Sequence, residues 1–221
     1  MGKERESLKI LVSGARERLG RTTLALNLSL GFSRLGREVF LLDLDPEHPE
    51  GHLSGLELEK AGVGYIQAPG AYKRLLSQNL PEAEIIIIDP GRLFNFSSYT
   101  GRIDLPLIVS HPQFYSLTES YVFAKMLAVA LGQAEVFLVL NRVRRKREAM
   151  ERLEPLFQVS ERYFSGRLKL LGLVPEISGK KNSGFPLINF SGERFTREIL
   201  ELVKRIEEKI WIPDLKNKEV K

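Results

Sequence analysis

The stretch Leu8-Lys9-Ile10-Leu11-Val12-Ser13-Gly14-Ala15-Arg16-Glu17-Arg18-Leu19-Gly20-Arg21-Thr22-Thr23 decides the fold class. Leu8–Val12 is a short apolar run of strand type. Thr22–Leu35 follows with Leu24, Leu28, Phe32 and Leu35 on one helical face. A strand, a glycine-bearing loop and a helix N-terminus in direct succession form an anion site, because loop amides and the helix dipole point at one spot. The other reading of the same residues is an ordinary strand–loop–helix turn with Arg16, Arg18 and Arg21 solvated. A Walker A loop reads Gly-x-x-x-x-Gly-Lys-Ser/Thr. Ala15, Gly20, Arg21 and Thr22 keep that spacing, with alanine for the first glycine and arginine for the lysine; counted from Gly14 the loop is one residue too long. Arginine is wide, planar and forked and cannot take a lysine's slot unchanged. Glu17 adds negative charge, and the interior glycines that let backbone approach phosphate are absent. Thr22 keeps the hydroxyl that a magnesium ion would use.

Outward from this loop the chain repeats the same alternation. Strands are predicted at Leu8–Val12, Val39–Leu44, Gly64–Gln67, Ile85–Asp89, Leu105–Val109, Val136–Leu140 and Leu170–Val174. Helices are predicted at Thr22–Leu35, Ala71–Leu80, Leu117–Leu131, Arg147–Phe157 and Glu193–Trp211. The last carries Phe195, Ile199, Leu202, Ile206 and Ile210 at helical spacing. The continuous run Ile85-Ile86-Ile87-Ile88 suggests a strand covered on both faces. Strands alternating with helices mean right-handed βαβ units. The fold class expected is therefore α/β, a mostly parallel β-sheet with helices on both faces. Residues 1–212 read as one domain and 213–221 as a polar C-terminal tail.

Composition bounds the chemistry. The 221 residues include no cysteine, which excludes disulfides, thiolate zinc sites, Cys-ligated iron–sulfur clusters and cysteine nucleophiles. A hydrophobic fraction of 43% argues for a packed core, and the net charge of +5 is modest for this length. The Lys/Glu/Arg-rich composition leans towards a heat-adapted source. With no signal-peptide pattern and no apolar run of spanning length, the cytoplasm is expected. Carboxylates close two strands, in Asp43-Leu44-Asp45-Pro46 and Asp89-Pro90-Gly91. Strand C-terminal ends are where α/β sheets bind ligands. An aspartate there either caps the next element or holds a metal-bound water.

Five motifs follow one another along the chain: Ser13-Gly14…Gly20-Arg21-Thr22-Thr23, Leu42-Asp43-Leu44-Asp45-Pro46, Ile87-Ile88-Asp89-Pro90-Gly91, Val139-Leu140-Asn141-Arg142-Val143 and Leu171-Gly172-Leu173-Val174-Pro175-Glu176. Taken in this order they resemble those of the MinD/ParA family, the deviant-Walker P-loop ATPases of the SIMIBI class. Val109-Ser110-His111-Pro112-Gln113 is similar to the family's segment after its fifth strand. The resemblance runs from about Ile10 to Lys209 and rests on order and spacing, not on one motif. It implies a P-loop NTPase-like fold and ATP or ADP with Mg²⁺. Gly14, Ala15, Gly20, Arg21, Thr22 and Thr23 would meet the phosphates. Asn141, Arg142 and Pro175 would meet the base. Thr22, Asp43 and Asp89 would hold the magnesium through water. Asp43, Asp45 and Arg21 would carry any hydrolysis, with Asp45 orienting water.

Departures temper that implication. Position 15 is alanine where the family carries a signature lysine, Arg21 replaces the Walker lysine, and the turn at Asp89-Pro90-Gly91 is compressed. Arg16 or Arg18 could stand in for the signature lysine. The expected function is a nucleotide-binding switch that positions or regulates an assembly such as a chromosome or plasmid, a division site, a flagellum or a pilus, with weak or absent hydrolysis. The alternatives are a pseudo-ATPase scaffold working by protein contacts and a dethiobiotin-synthetase-like ligase. The expected partners are a second copy in a homodimer, an unidentified protein, and nonspecific DNA through Arg142–Arg147. A solvated loop and helix start is the simpler reading of that basic run, since charge runs are common surface features. The final helix mixes Glu198, Glu201, Glu207 and Glu208 with Arg197, Lys204, Arg205 and Lys209, which speaks for packing on the sheet and against a membrane. His48 and His52 are a weak metal pair, and Phe94, Phe96 and Tyr99 form an aromatic cluster that reads as a lid, a partner surface or core.

Overall fold

A computed structural model of the chain describes residues 7–45, 55–67, 82–91, 102–133, 135–164, 167–177 and 193–216. Seven strands form one sheet: β1 (Leu8–Ser13), β2 (Val39–Asp43), β3 (Val63–Gln67), β4 (Ile85–Asp89), β5 (Leu105–Ser110), β6 (Val136–Val143) and β7 (Leu168–Pro175). Their order is β3-β2-β4-β1-β5-β6-β7, and every pairing is parallel. The helices described are α1 (Arg21–Arg34), α2 (Gly55–Lys60), α3 (Phe114–Leu131), α4 (Lys146–Phe164) and α5 (Glu193–Lys216).

The tetra-isoleucine run sits in the middle of this arrangement. Ile87 of β4 lies beside Ile10 of β1 on one side and Leu41 of β2 on the other. Successive side chains of a strand point to opposite faces, so the run feeds two cores. Ile85 and Ile87 join Ile10, Val12, Leu24, Leu28, Phe32, Ile199, Leu202 and Ile206, the core beneath α1 and α5. Ile86 and Ile88 join Leu11, Leu42, Leu117, Leu127, Leu153 and Phe164, the core beneath α3 and α4. Each fully buried side chain of this size contributes about 1.5–3 kcal/mol. Every residue from Leu24 to Phe32 is buried, because α1 is held between the sheet and α5.

Several boundaries differ from those expected. Leu35 is 40% exposed and stands after the last turn of α1, off the core face assigned to it. α4 runs to Phe164 through Pro155, since burial of Leu153 on one side and Ser160 and Phe164 on the other outweighs the lost backbone bond. β6 and β7 extend each other to the pairing of Val143 with Pro175. α5 continues through Pro213 to Lys216, past the start assigned to a polar tail. Its residues Phe195, Ile199, Leu202, Val203 and Ile206 are buried in the core, as packing on the sheet requires. The short helix α2 has no counterpart among the expected elements. The helix expected over Ala71–Leu80, the pair His48 and His52, and the cluster Phe94, Phe96 and Tyr99 lie outside the described residues.

Candidate functional site

The strand order changes direction at β1. It is flanked by β4 and β5, and the helices that follow β1 and β5 leave towards opposite faces of the sheet. A crevice therefore opens at the C-terminal ends of the strands, the place where open α/β sheets take ligands. The chain there presents Asp43, Asp89, the 14–20 loop, Ser110 and His111, Asn141 and Pro175, in that order across the sheet.

The loop is built to turn sharply into α1. Arg18 and Gly20 both have positive φ, at 57° and 86°. Successive turns of this kind aim backbone N–H groups inwards. Gly20 is the N-cap of α1, with no side-chain cap and no acidic residue in the first turn, so the positive end of the helix is uncompensated by its own side chains. Leu19 is buried and pins the loop to the core. Thr23 accepts a bond from Asn27 Nδ2 at its carbonyl, 2.6 Å away, as part of the helix.

Asn141 holds the loop from the side of β6. Its Nδ2 donates to the Leu19 carbonyl at 2.8 Å, and its Oδ1 accepts the Arg142 amide at 2.9 Å. A Cβ on Gly20 would lie 2.2 Å from Asn141 Nδ2, which requires glycine there beyond its positive φ. An amide side chain has two donors and two lone pairs, so these two contacts leave capacity for a ligand. Pro175, on the neighbouring strand end, lies opposite Val143. Arg142 is exposed with a positive φ of 58°.

Arg21 is half-buried at the start of α1. Its side chain crosses Gly14, and Nη1 donates to the carbonyl of Gly91 at 2.7 Å. Gly91 in turn donates its amide to Asp89 Oδ1 at 3.3 Å and has a φ of 66°. A Cβ on Gly91 would meet Asp45 Cα at 2.6 Å, so the two strand-end carboxylate segments close on each other through this glycine. Asp43 accepts the Asp45 amide at 3.0 Å and the Tyr65 hydroxyl at 3.1 Å. Burial, and after it the negative charge of Asp43, holds the Tyr65 phenol well above its usual range.

Asp89 is buried beside Thr22, Arg21 and Asp43, and its Oδ2 lacks a hydrogen-bond partner. Burial pushes its carboxyl up to about 6; the charge of Asp43 acts the same way, while Thr22, Arg21 and the Gly91 amide act against it. His111 is held below its ordinary range by burial and then by the charges of Arg142 and Arg16. Arg16 leans away from the crevice: its Nε lies 3.3 Å from Glu119 Oε2, and its guanidinium stacks 5.3 Å from the Tyr115 ring centre. Of the basic run, Arg144 pairs with Glu176, Arg145 with Glu148 and Arg147 with Glu151, all on the surface.

The site thus gathers Gly14, Ala15, Gly20, Arg21, Thr22, Asp43, Asp45, Asp89 and Asn141 around one crevice. Sequence reasoning did not find Tyr65 or the Gly91 carbonyl beside these residues; a mid-strand tyrosine and a backbone oxygen carry no motif. An orphaned carboxylate oxygen beside a threonine hydroxyl fits a hydrated magnesium ion. Among the described residues no group of three or more His, Cys, Asp or Glu side chains could hold a metal by itself.

No protein-family model matches the sequence, and no curated protein matches it. Solved structures do. A plasmid partition protein of Borrelia burgdorferi bound to AMPPNP is 14% identical, with a TM-score of 0.62 over 92% of this chain and 99% of that one. The septum site-determining protein MinD of Pyrococcus horikoshii, complexed with Mg-ADP, is 18% identical, with a TM-score of 0.63 over 93% and 98%. The ParA of pNOB8 bound to nonspecific DNA is 14% identical, with a TM-score of 0.62 over 91% and 99%. Among the described residues no helix is long and apolar enough to cross a membrane. At these identities the likeness is one of architecture, and it agrees with the strand order and the crevice: the chain has the fold of the ParA/MinD ATPases.

Proposed function

We propose that this chain is a nucleotide-linked switch of ParA/MinD type that positions or regulates a cellular assembly, with ATP hydrolysis weak or absent. The bond from Arg21 to the Gly91 carbonyl at 2.7 Å carries the reading. It joins the first residue of α1, beside the phosphate-loop position, to the turn that follows Asp89. A phosphate in the loop competes with the Gly91 carbonyl for the same guanidinium, and a charged acceptor is the stronger partner. Ligand arrival would therefore release the Asp89-Pro90-Gly91 turn, and that turn packs on Asp45. A local competition of this kind is what a switch needs.

Gly14, Ala15, Gly20, Arg21, Thr22 and Thr23 would meet the phosphates, and Asn141, Arg142 and Pro175 the base. Thr22, Asp43 and Asp89 would hold a magnesium ion through its waters; when bound, that ion neutralises phosphate charge. Asp45 would orient water if hydrolysis occurs, with Asp43 steadying its backbone. Turnover is slow on this reading because a wide, forked guanidinium does not fill the slot a Walker lysine takes beside the transferring phosphate. The protein works in the cytoplasm, with a homodimer as the nucleotide-bound form and a protein or nonspecific DNA as partner.

Calorimetric titration with ATP·Mg²⁺, paired with sedimentation, tests this. Binding at millimolar or lower ATP is expected; no binding would sink the switch. The second reading, a scaffold working only through protein contacts, gains from the same Arg21 bond if phosphate cannot displace it. For DNA, the local carboxylate partners of Arg144, Arg145 and Arg147 favour a solvated surface. A salt-dependent mobility shift that disappears on neutralising these three arginines would instead establish phosphate contact.

A further inference from the structure

Of the three arginines at the phosphate loop, two are already engaged. Arg21 donates to the Gly91 carbonyl, and Arg16 rests on helix α3. Tyr115 and Glu119 stand four residues apart on α3, so they share one face of that helix. Arg16 lies across both: its Nε is 3.3 Å from Glu119 Oε2, and its guanidinium carbon is 5.3 Å from the Tyr115 ring centre. The seat beneath it is fixed. Ser116, in the same first turn, ties α3 to the end of β5. Its Oγ accepts the His111 amide at 3.2 Å and shares a bond of 3.0 Å with Ser110 Oγ.

The grip on Arg16 is loose by comparison. Glu119 Oε2 is shielded from solvent yet accepts no hydrogen bond among the described residues, so the ion pair lacks hydrogen-bond geometry. The two side chains are 38% and 30% exposed, and ion pairs in such places are weak. A phosphate group offers a guanidinium two parallel, charge-assisted bonds and is the stronger partner. Arg16 is thus a cation built into an anion site and kept off it by contacts that an anion can break. We propose that Glu119 and Tyr115 hold Arg16 in reserve and so set the affinity of the loop for a polyphosphate, as an autoinhibitory contact. This rests on the reading of the loop as a phosphate site given above.

The roles open to such a contact differ in sign. If the contact were a brace that shapes the loop, cutting it would weaken binding. Cutting the hold on a parked cation tightens binding, because more of the molecules can use Arg16 at once. Apparent affinity scales with that competent fraction, so an arm parked in about nine molecules of ten conceals a gain of about tenfold. A direct repulsion between Glu119 and phosphate also has the sign of a gain, but it needs no Arg16.

Calorimetric titration of the full chain with ATP·Mg²⁺ at one salt concentration separates the three. Tyr115→Leu removes the ring without changing charge, and Glu119→Gln removes the acid. Each should tighten ATP about three- to tenfold. In an Arg16→Met background both gains should vanish, since the two side chains then have nothing to hold. Weaker or unchanged binding in both variants overturns the proposal, as does a gain from Glu119→Gln that persists without Arg16. Equal binding by parent and variants leaves the phosphate site standing and removes only the autoinhibition. No binding by any of the chains removes both, and binding that emerges only in the two variants establishes the autoinhibition.

Discussion

Asp89→Asn is expected to raise stability at neutral pH and leave it unchanged in acid. Burial lifts the Asp89 carboxyl from 3.8 to about 6 in the folded chain. The folded state then holds this proton more tightly than the unfolded one. The residue's contribution is fully present below about 3.8 and is lost as pH rises through about 6. At 1.36 kcal/mol for each pKa unit, the loss is about 3 kcal/mol by pH 7.5. Asparagine carries no charge at either pH, and its Oδ1 can still accept the Gly91 amide that Asp89 accepts at 3.3 Å. The stability difference between variant and parent should therefore grow by about 2.4 kcal/mol from pH 4 to pH 7.5, since a little of the loss has already occurred at pH 4. With a urea slope of about 2 kcal/mol/M, that moves the unfolding midpoint by about 1.2 M relative to the parent. Paired urea titrations followed by far-ultraviolet circular dichroism, without nucleotide or magnesium, measure it; titrating groups remote from Asp89 cancel in the comparison. An equal difference at the two pH values refutes the reasoning, since it would mean Asp89 is charged or neutral alike in both states.

Arg21→Met removes a charged donor from the Gly91 carbonyl and should cost about 1.5–3 kcal/mol in urea unfolding; a loss below 0.5 kcal/mol would show that the bond is not formed in solution. Arg21→Lys should not raise ATP turnover tenfold, because Ala15 and Glu17 remain and Arg16 is held by Glu119 and Tyr115; a coupled phosphate-release assay showing brisk turnover would contradict this. Gly20→Ala meets both a φ of 86° and Asn141 Nδ2 at 2.2 Å, and should cost about 2–4 kcal/mol, read as a melting point roughly 5–15 °C lower. An unchanged melting point would mean the loop has another conformation. Tyr65→Phe takes one donor from Asp43 and should cost about 1 kcal/mol with no change in secondary structure.

The fold was legible because it depends on patterns that act over a few residues. The β-branched run Ile85–Ile88 suggested a strand buried on both faces, and β4 is that strand, interior to the sheet and covered. The helical spacing of Phe195, Ile199, Leu202 and Ile206 likewise placed α5 on the sheet. Boundaries were less legible where two local signals disagreed. Pro155 and Pro213 both forbid one backbone bond, yet α4 and α5 continue past them. A propensity of about 3 kcal/mol yields when residues beyond the proline, such as Phe164 in α4, bury apolar surface.

The candidate site was legible as a set of residues and illegible as a set of contacts. Strand-end spacing brought the 14–23 loop, Asp43 and Asp89 to one edge, since strand ends of a parallel sheet are neighbours by construction, and the family resemblance added Asn141. Which way Arg21 points is a different kind of fact. It depends on the Gly91 carbonyl, which lies 70 residues away along the chain. A lysine in that place would end in one compact charge; the forked guanidinium can span from α1 to the turn and still keep further donors. The substitution that weakens the Walker motif is thus the same one that ties the loop to the Asp89 turn. On the function proposed above, the arginine that keeps phosphate from a lysine's grip is also the one that would sense it, and the unpartnered oxygen of Asp89 beside it is where an arriving cation would make the difference felt.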